Sequence, residues 1–247
     1  MRLDVFLTPG ELSPSDLVER VVVVIDILRA STTIVEALAN GAKSIYPASS
    51  IEEALRLANT FGRDDVLLCG ERKCLPIEGF DLGNSPREFT RDRVAGKTLV
   101  MSTTNGTIAI GLTSGAARVY IGSLLNLRAV VEELALRKAD PVLVCSGREK
   151  HFALEDAACA GLIAAQLIGD SLDQWQLNDG ARAALALASE FGVDEDLFRT
   201  TMAGKNIAAA GLAEDLSFCA RMDVHDILPV LHERNVTLVT APVGIPS

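Results

Sequence analysis

The feature that most constrains the fold of this chain is an internal repeat. The stretch TIVEALANGAKSIY at 33–46 recurs 74 residues later as TIAIGLTSGAARVY at 107–120. Both copies follow an apolar, strand-like run, and both lead through a serine (Ser49, Ser123) into a further helical pattern and another apolar run. Each copy therefore predicts a strand–helix–strand–helix–strand unit, and we expect one sheet built from two similar halves.

The composition agrees with a parallel sheet covered by helices. Hydrophobic residues make up 49% of the chain and aromatic residues only 4%, so the core must consist of Val, Leu, Ile and Ala, as in buried parallel sheets. After an Ala-rich helical pattern at 153–167, the sequence up to about residue 221 is mostly helical. We predict an α/β fold of three layers, with a mostly parallel sheet, an internally duplicated strand–helix unit and a helical C-terminal third.

No low-complexity linker divides the chain. We therefore expect residues 1–247 to form a single compact unit, in which any two lobes, at about 1–95 and 96–247, pack tightly together. Because crossover connections between parallel strands are right-handed, the polar strand ends of both copies should lie on the same edge of a sheet. Ligands of open α/β sheets bind outside those carboxyl ends, so the strand ends are the places to look for function.

The first strand end follows the apolar run 21–25, which predicts a strand buried on both faces. Asp26 and Arg29 come next, followed by the hydroxyl cluster Ser31, Thr32 and Thr33 at the start of a helical pattern. A helix N-terminus suits an anion, because its first N–H groups are unpaired and its dipole is positive there. The alternative is a structural role, with Asp26 as a cap and Ser31 as the N-cap.

The second copy of the repeat helps to decide between a chemical and a structural role for Asp26. At an offset of 74 residues, Val100 and Thr103 take the places of Asp26 and Arg29. The acid and the arginine thus have no counterpart in the repeat, which favours a chemical role for both.

The corresponding strand end in the second copy has the sequence STTNGT. Its hydroxyl and N–H groups, from Thr103, Thr104, Asn105, Gly106 and Thr107, can converge on a phosphate or sulfonate without a lysine. It is not a Walker loop, because the Gly-Lys-Thr sequence is missing. The alternative is a threonine N-cap with an Asn-Gly turn, and the equivalent hydroxyl cluster in the first copy favours the anion cradle.

Further acids and polar residues follow other strands. Glu71 comes after VLLCG, and Glu155 and Asp156 occupy the first turn of the Ala-rich helix. The loop at 77–89 is dense in turn-forming residues and offers Glu78, Asp81, Asn84 and Ser85 as ligand groups. Either a solvated loop or a binding loop fits its composition. Magnesium takes a few carboxylates and keeps room for waters and a phosphate oxygen, which such a rim could provide.

Charge and cysteine content exclude several classes of function. The net charge of −10 and the absence of a basic stripe argue against nucleic acid as a partner. Five cysteines and three histidines match no strong zinc spacing. The apolar runs are too short for a membrane span, and the N-terminus does not resemble a signal peptide. We expect a cytoplasmic protein. The apolar residues among 207–218 fit either a homodimer interface or an internal layer of the fold.

Taken together, IDILRASTT, GE…IEGFDLGNSP, STTNGT and the segment from Glu155 to Gly161 resemble the 2-phosphosulfolactate phosphatase (ComB-like) family. The motifs span about residues 20–162 and occur in the order found in the family. The segment RKCLP after Glu71 departs from it by lacking Gly-rich character. The resemblance implies a magnesium-dependent phosphatase that hydrolyses 2-phospho-3-sulfolactate to 3-sulfolactate and phosphate, a step of coenzyme M biosynthesis.

The residue roles that we expect follow this chemistry, which requires charge neutralisation, an attacking water and a leaving-group acid. Asp26, Glu71 and Asp156 would hold or orient Mg²⁺ and water. The phosphate or sulfonate would be bound by Arg29, Thr32, Thr33 and the 103–107 turn, with Asn84 and Ser85 completing the rim. Asp81 is the candidate general acid or base, and a covalent aspartyl-phosphate on Asp26 is an alternative.

Two other functions use the same residues. One is a binding protein that senses a small sulfonate or phosphate without turnover. The other is a hydrolase of sugar or nucleotide phosphates. The sequence has no Ser-His-Asp set or Cys-His pair, which argues against acyl transfer.

Overall fold

The computed structural model describes residues 1–62, 64–138 and 140–238. Its strands are, in chain order, β1 (Arg2–Phe6), β2 (Val21–Ile25), β3 (Ser44–Pro47), β4 (Val66–Arg72), β5 (Leu75–Pro76), β6 (Thr98–Ser102), β7 (Arg118–Gly122), β8 (Pro141–Cys145), β9 (Gln176–Leu177), β10 (Pro229–His232) and β11 (Asn235–Leu238). Its α-helices are α1 (Ala30–Ala39), α2 (Ile51–Ala58), α3 (Arg91–Val94), α4 (Gly106–Leu112), α5 (Leu127–Arg137), α6 (Leu154–Ile168), α7 (Asp179–Phe191), α8 (Glu195–Thr200), α9 (Met202–Ala209) and α10 (Glu214–Cys219). The predicted α/β class, with a helical C-terminal third, is confirmed.

The two copies of the repeat are interleaved in the sheet. The strand order is β5-β4-β6-β3-β11-β10-β7-β2-β8-β1-β9. The first copy supplies β2, β3 and β4, and the second supplies β6, β7 and β8. Strand β2 lies between β7 and β8, whereas β6 lies between β3 and β4. The first strand of each copy is therefore paired on both sides with strands of the other copy, and each half of the sheet contains strands from both sides of residue 95.

The two halves run in opposite directions. Strands β3, β4 and β6 are mutually parallel, and so are β7, β2, β8, β1 and β9. The β10–β11 hairpin joins them with antiparallel pairings to β7 and β3. Three antiparallel steps separate β7 from β3, so the direction reverses between the halves. The expectation that all polar strand ends share one edge of the sheet is wrong for this reason.

The strand ends of both halves nevertheless meet, because the halves share a core. One apolar cluster contains Val22 and Val24 of β2 with Leu99 and Met101 of β6, together with side chains of α1 and α4. These two helices therefore pack between the halves. Each follows a strand of one half directly, and this places the β2–α1 and β6–α4 turns in the same region of the molecule.

Helices also cover the outer faces, which completes the three layers. The alternate residues of β2, Val23 and Ile25, pack into a second cluster with side chains of α5, α6 and α7. Ala54 of helix α2 packs with Val100 of β6, so α2 covers the outer face of the other half. A strand buried on both faces requires an uninterrupted apolar sequence, as VVVVI provides.

The C-terminal helices pack onto the same body. Ile207 and Leu216, from the stretch that we considered for a dimer, are buried against residues of the chain itself. None of the helices in the described ranges combines the length and the hydropathy that a membrane crossing requires.

Candidate active site

A cavity of about 300 Å³ lies where the strand ends meet. Three strand ends contribute Asp26 and Arg29 after β2, Glu71 of β4, and Thr103 to Asn105 after β6. Asn84, Arg148 and α9 complete its wall. Seven residues that we predicted to be functional thus line one cavity: Asp26, Arg29, Glu71, Asn84, Thr103, Thr104 and Asn105.

Asp26 sits at the start of the β2–α1 turn and is only 7% exposed. Its Oδ1 accepts a hydrogen bond from the Ala30 N–H at 3.2 Å, and its own N–H donates to Ser31 Oγ at 3.0 Å. Burial raises the pKa of Asp26 to about 6, and the negative charges of Glu71 and Glu155 act in the same direction. Asp26 therefore caps the turn, as in the structural alternative, and still lines the cavity where chemistry could take place.

The turn after β6 has the same hydrogen-bond arrangement. Thr103 Oγ1 accepts from the Thr107 N–H at 3.1 Å, while the Thr103 N–H donates to Thr107 Oγ1 at 3.2 Å. The structural counterpart of Asp26 is thus Thr103 and not Val100. Asp26 precedes Thr33 by seven residues, whereas Thr103 precedes the matching Thr107 by four, so the first copy has three more residues between its strand and the repeated stretch. The pairing of Asp26 with Val100 is therefore wrong, since a fixed offset of 74 ignores these three residues. The second copy nevertheless has a threonine and no carboxylate at the position of Asp26.

Gly106 joins the two turns. A Cβ on Gly106 would lie 2.6 Å from Asp26 Oδ2 and 2.5 Å from the Cβ of Ala30. Only glycine allows so close an approach. This glycine lets the second turn close over the carboxylate of the first.

Glu71 connects the ends of β4 and β6. Its Oε1 accepts from both the N–H and the hydroxyl of Thr104, each at 2.8 Å, and its Oε2 accepts from the Cys74 N–H at 2.9 Å. The carboxylate is 8% exposed and lines the cavity beside Asp26. Glu71 therefore fixes two loops and still contributes negative charge to the cavity wall.

The other hydroxyls of the first turn are used inside the fold. Thr32 Oγ1 donates to the Ile27 carbonyl at 2.9 Å, and Thr33 Oγ1 donates to the Asn84 carbonyl at 3.0 Å. Both threonines are fully buried and lie behind the residues that line the cavity. Thr33 thereby holds Asn84 in place.

Asn84 is 4% exposed and lines the cavity. Its side-chain oxygen, Oδ1, has no hydrogen-bond partner within the described residues. Buried polar atoms without a partner are rare and costly in proteins, so this oxygen indicates a missing partner such as a cation or a hydroxyl group.

Arg29 is held by Asp215, a residue to which the sequence assigned no function. Its NH1 donates to Oδ2 of Asp215 at 2.7 Å, and its NH2 donates to the Cys74 carbonyl at 3.1 Å. Oδ1 of Asp215 accepts from Ser85 Oγ at 2.7 Å. Ser85, which we expected at the substrate, is therefore bonded to Asp215 behind the cavity. In the sequence, Asp215 follows Glu214 in a helix first turn, where acids are common.

Asp156 lies beside Asp26 but is not among the residues that line the cavity. Its Oδ1 accepts from the Ile27 N–H at 2.9 Å, and its Oδ2 accepts from Ser146 Oγ and the Gly147 N–H at 3.1 and 3.0 Å. Burial raises the pKa of Asp156 well above its usual range, and the charges of Asp26 and Glu155 add to this effect. Asp156 thus fixes the ends of β2 and β8 against each other.

Asp81 is placed away from the cavity. It is exposed, and its Oδ2 accepts from the Leu68 N–H of β4 at 2.8 Å. The structure does not bring this carboxylate together with Asp26 and Glu71. Its observed contact is that of a cap on the backbone of a strand.

Several basic side chains to which we assigned no role from the sequence also lie at the cavity. Arg72, Lys73 and Arg148 line it together with Arg29. Arg72 donates from NH2 to Ser102 Oγ at 2.9 Å, which links β4 to β6. An acidic protein thus concentrates positive charge around two buried carboxylates, and this combination favours an anionic ligand.

The donors in the cavity fit a hard cation such as Mg²⁺. Within residues 1–62, 64–138 and 140–238, no group of three or more His, Cys, Asp or Glu side chains is positioned to hold a metal. Magnesium, however, is commonly held by one or two carboxylates, with waters and phosphate oxygens completing the shell. Asp26, Glu71 and the unpartnered Asn84 oxygen provide such a set because all three residues line the cavity, whereas Asp156 does not line it.

Comparisons with known proteins identify the family of this chain. A family model for 2-phosphosulpholactate phosphatase matches residues 6–234. A protein of Symbiobacterium thermophilum named "Probable 2-phosphosulfolactate phosphatase" is 44% identical over 225 residues, which is 91% of this chain and 96% of that protein. Proteins of the same name from Caldanaerobacter subterraneus and Clostridium acetobutylicum are 39% and 37% identical, over 94% and 93% of this chain and 95% and 97% of theirs. The chain belongs to the 2-phosphosulpholactate phosphatase family.

Proposed function

We propose that this chain hydrolyses the phosphate monoester of a small anionic acid, with 2-phospho-3-sulfolactate as substrate and 3-sulfolactate and phosphate as products. The observation that carries the proposal is the cavity in which Asp26 and Glu71 are surrounded by Arg29, Arg72 and other basic side chains. The names of the relatives support the same substrate. A ligand that carries both a phosphate and a second anionic group suits such a cavity.

We further propose Mg²⁺ as the cofactor, held by Asp26, Glu71 and the side-chain oxygen of Asn84. When bound, it would neutralise charge on the phosphoryl oxygens and lower the pKa of a bound water. Asp156 would keep the end of β2 in place through its bond to the Ile27 N–H. This assignment removes Asp156 from the metal ligands that we expected and adds Asn84.

The reaction adds water across the P–O bond. A water oxygen attacks phosphorus, the bond to the substrate oxygen breaks, and that oxygen takes up a proton to become a hydroxyl group. Without a metal, burial raises the pKa of Asp26 to about 6. A bound cation would lower that pKa again, so Asp26 would act as a carboxylate that orients the attacking water and accepts its proton. We therefore assign to Asp26 the acid–base role that the sequence suggested for Asp81. Arg29 would bind the phosphoryl oxygens, together with groups of the turn after β6 that are not already bonded to Glu71, Thr103 or Thr107.

A covalent phosphate on Asp26 is the alternative route. The coenzyme M pathway, a cytoplasmic location and a homodimer stay predictions from the sequence.

Phosphate release from a substrate panel tests the proposal. The panel contains 2-phospho-3-sulfolactate, other phosphorylated 2-hydroxy acids and sugar phosphates, each with Mg²⁺ and with EDTA. We expect release from the phosphosulfolactate with Mg²⁺ only, and loss of release in Asp26→Asn. Release from sugar phosphates alone would favour the other hydrolase. Binding of phosphosulfolactate without release from any substrate would favour the sensor.

A further inference from the structure

The buried ion pair between Arg29 and Asp215 connects the active-site turn to the C-terminal helices. Asp215 is fully buried, and the side chain of Arg29 is 2% exposed. Asp215 lies in α10, which packs against α8, α9 and the 86–88 turn, far in sequence from the repeat. Because both side chains are closed off from solvent, neither can replace its partner with a water molecule.

The contacts of this pair define one orientation of the guanidinium group. Arg29 donates to Asp215 and to the Cys74 carbonyl, and Ser85 donates to the second oxygen of Asp215. A guanidinium group has five N–H donors in a fixed plane. Within the described residues two of these five are bonded, so three N–H groups are left for a ligand in the cavity that Arg29 lines.

We propose that Asp215 is a positioning residue that holds Arg29 with its remaining N–H groups toward the phosphoryl group, and that Ser85 fixes Asp215 for this task. This proposal rests on the phosphatase function proposed above. The catalytic contact is made by Arg29, and Asp215 acts only through it. The C-terminal third of the chain thereby completes a site whose other residues come from the repeat.

The test is a double-variant cycle on kcat/KM with Asp215→Asn, Arg29→Ala and the combined variant. Displacement of a catalytic group by about 1 Å costs on the order of 100-fold in rate, so we expect a fall of about 100-fold in each single variant. If Asp215 acts through Arg29, the combined variant falls no further than Arg29→Ala. Independent roles would multiply to a fall of about 10⁴-fold and would overturn the proposal.

The kinetic parameter that changes separates positioning from general stability. We expect the loss mainly in kcat, because Arg29 would stabilise charge that develops on the phosphoryl group. Asp4→Asn is the matched control: Asp4 is 2% exposed and pairs with Arg20 at 3.0 Å on β1. This control should lower the melting temperature and keep kcat within about twofold. A folded Asp215→Asn with kcat within threefold of the wild type would contradict the proposal.

Ser85→Ala is the milder variant in case Asp215→Asn does not fold. It keeps the ion pair and removes only the bond to the second oxygen of Asp215. We expect kcat to fall about tenfold, as for a lost hydrogen bond of about 1.4 kcal/mol, with unchanged fluorescence of Trp175, the single tryptophan. An unchanged kcat would count against the role of Ser85 and of Asp215.

Binding of inorganic phosphate tests the proposal without turnover. Millimolar phosphate should raise the melting temperature of the wild type and have a smaller effect on Ser85→Ala and Asp215→Asn. If the wild type releases no phosphate from any substrate but this difference is found, the proposed function fails and the positioning of Arg29 stands. An equal rise in all three proteins, or none in the wild type, would overturn the positioning role.

Discussion

The turns after β2 and β6 have one backbone arrangement and two chemistries. In both, the first residue after the strand accepts a bond from a helix N–H, and its own N–H donates to a hydroxyl, which is Ser31 in one turn and Thr107 in the other. That first residue is Asp26 in one and Thr103 in the other. The difference teaches that a carboxylate in place of a threonine, on a repeated framework, distinguishes the turn to which we assign the chemistry from the turn that supports it.

The largest effect should come from removing the charge of Asp26. Asp26→Asn keeps an oxygen for the Ala30 N–H, so the fold should persist while kcat falls about 10²–10⁴-fold, as for the loss of a general acid or base. Steady-state phosphate release with saturating Mg²⁺ measures this loss. Near-normal turnover would contradict the role that we assign to Asp26.

The same variant should be more stable than the wild type in the absence of metal. The folded-state pKa of Asp26 is raised to about 6, so above that pH the folded protein carries a buried charge that the unfolded chain tolerates better. This buried charge should lower the free energy of unfolding of the wild type by about 3 kcal/mol at pH 7 and have almost no effect below about pH 4. Urea unfolding of both proteins with EDTA at the two pH values measures the difference.

Gly106→Ala should have the second largest effect. The added Cβ would meet Asp26 Oδ2 and the Cβ of Ala30, so the turns must separate. We expect a loss of about 1–3 kcal/mol in stability and a fall of roughly 10²-fold in kcat/KM, because the catalytic groups move apart. Gly111→Ala in the same helix is the control, since a Cβ there meets nothing within 4 Å. Equal kinetics for the two variants would argue against the close approach.

Thr103→Ala should have a smaller effect, mainly on stability. It removes the acceptor for the Thr107 N–H, which has the energetic role of an N-cap and contributes about 1 kcal/mol. We expect kcat to fall less than tenfold, because no charge is lost. Thr103→Ser restores the oxygen and should restore stability in thermal unfolding. A loss of kcat as large as that of Asp26→Asn would show that the two turns contribute equally to chemistry.

Asp81→Ala should have the smallest effect on catalysis. The carboxylate bonds the Leu68 N–H at the exposed side of β4, so we expect kcat/KM within about twofold and a stability loss below about 1 kcal/mol. Kinetics and thermal unfolding of this variant check both values. A kcat loss of more than tenfold would return Asp81 to the acid–base role expected from the sequence.

Local patterns in the sequence predicted what depends on local physics. The run VVVVI predicted a strand buried on both faces, and STTNGT predicted a hydroxyl turn before a helix; the structure contains both. The predicted cavity residues that follow strands directly, such as Asp26 and Thr103, also come together. A strand end and a helix start fix the position of the residue between them.

What the sequence did not predict depends on contacts between distant parts of the chain. Asp215 has the appearance of an ordinary acid in a helix first turn, and only the packing of α10 brings it to Arg29. In the 77–89 loop, Asp81 is exposed whereas Asn84, three residues later, is buried. Both residues belong to one polar loop, so the composition of the loop cannot predict which of them is buried. The reversed halves depend on the pairing of the β10–β11 hairpin with β7 and β3, and a local pattern in the sequence does not specify those partners.

The interleaving of the repeats has a consequence for how the chain acquires its structure during synthesis. Strand β2 needs β7 and β8 as neighbours, with Val21 next to Arg118 on one side and Pro141 on the other. An emerging chain that ends near residue 95 therefore holds an apolar strand with both edges unpaired, and such non-local pairing slows folding. Such an intermediate is exposed to aggregation, which makes the interval before β8 leaves the ribosome the most vulnerable stage for this protein.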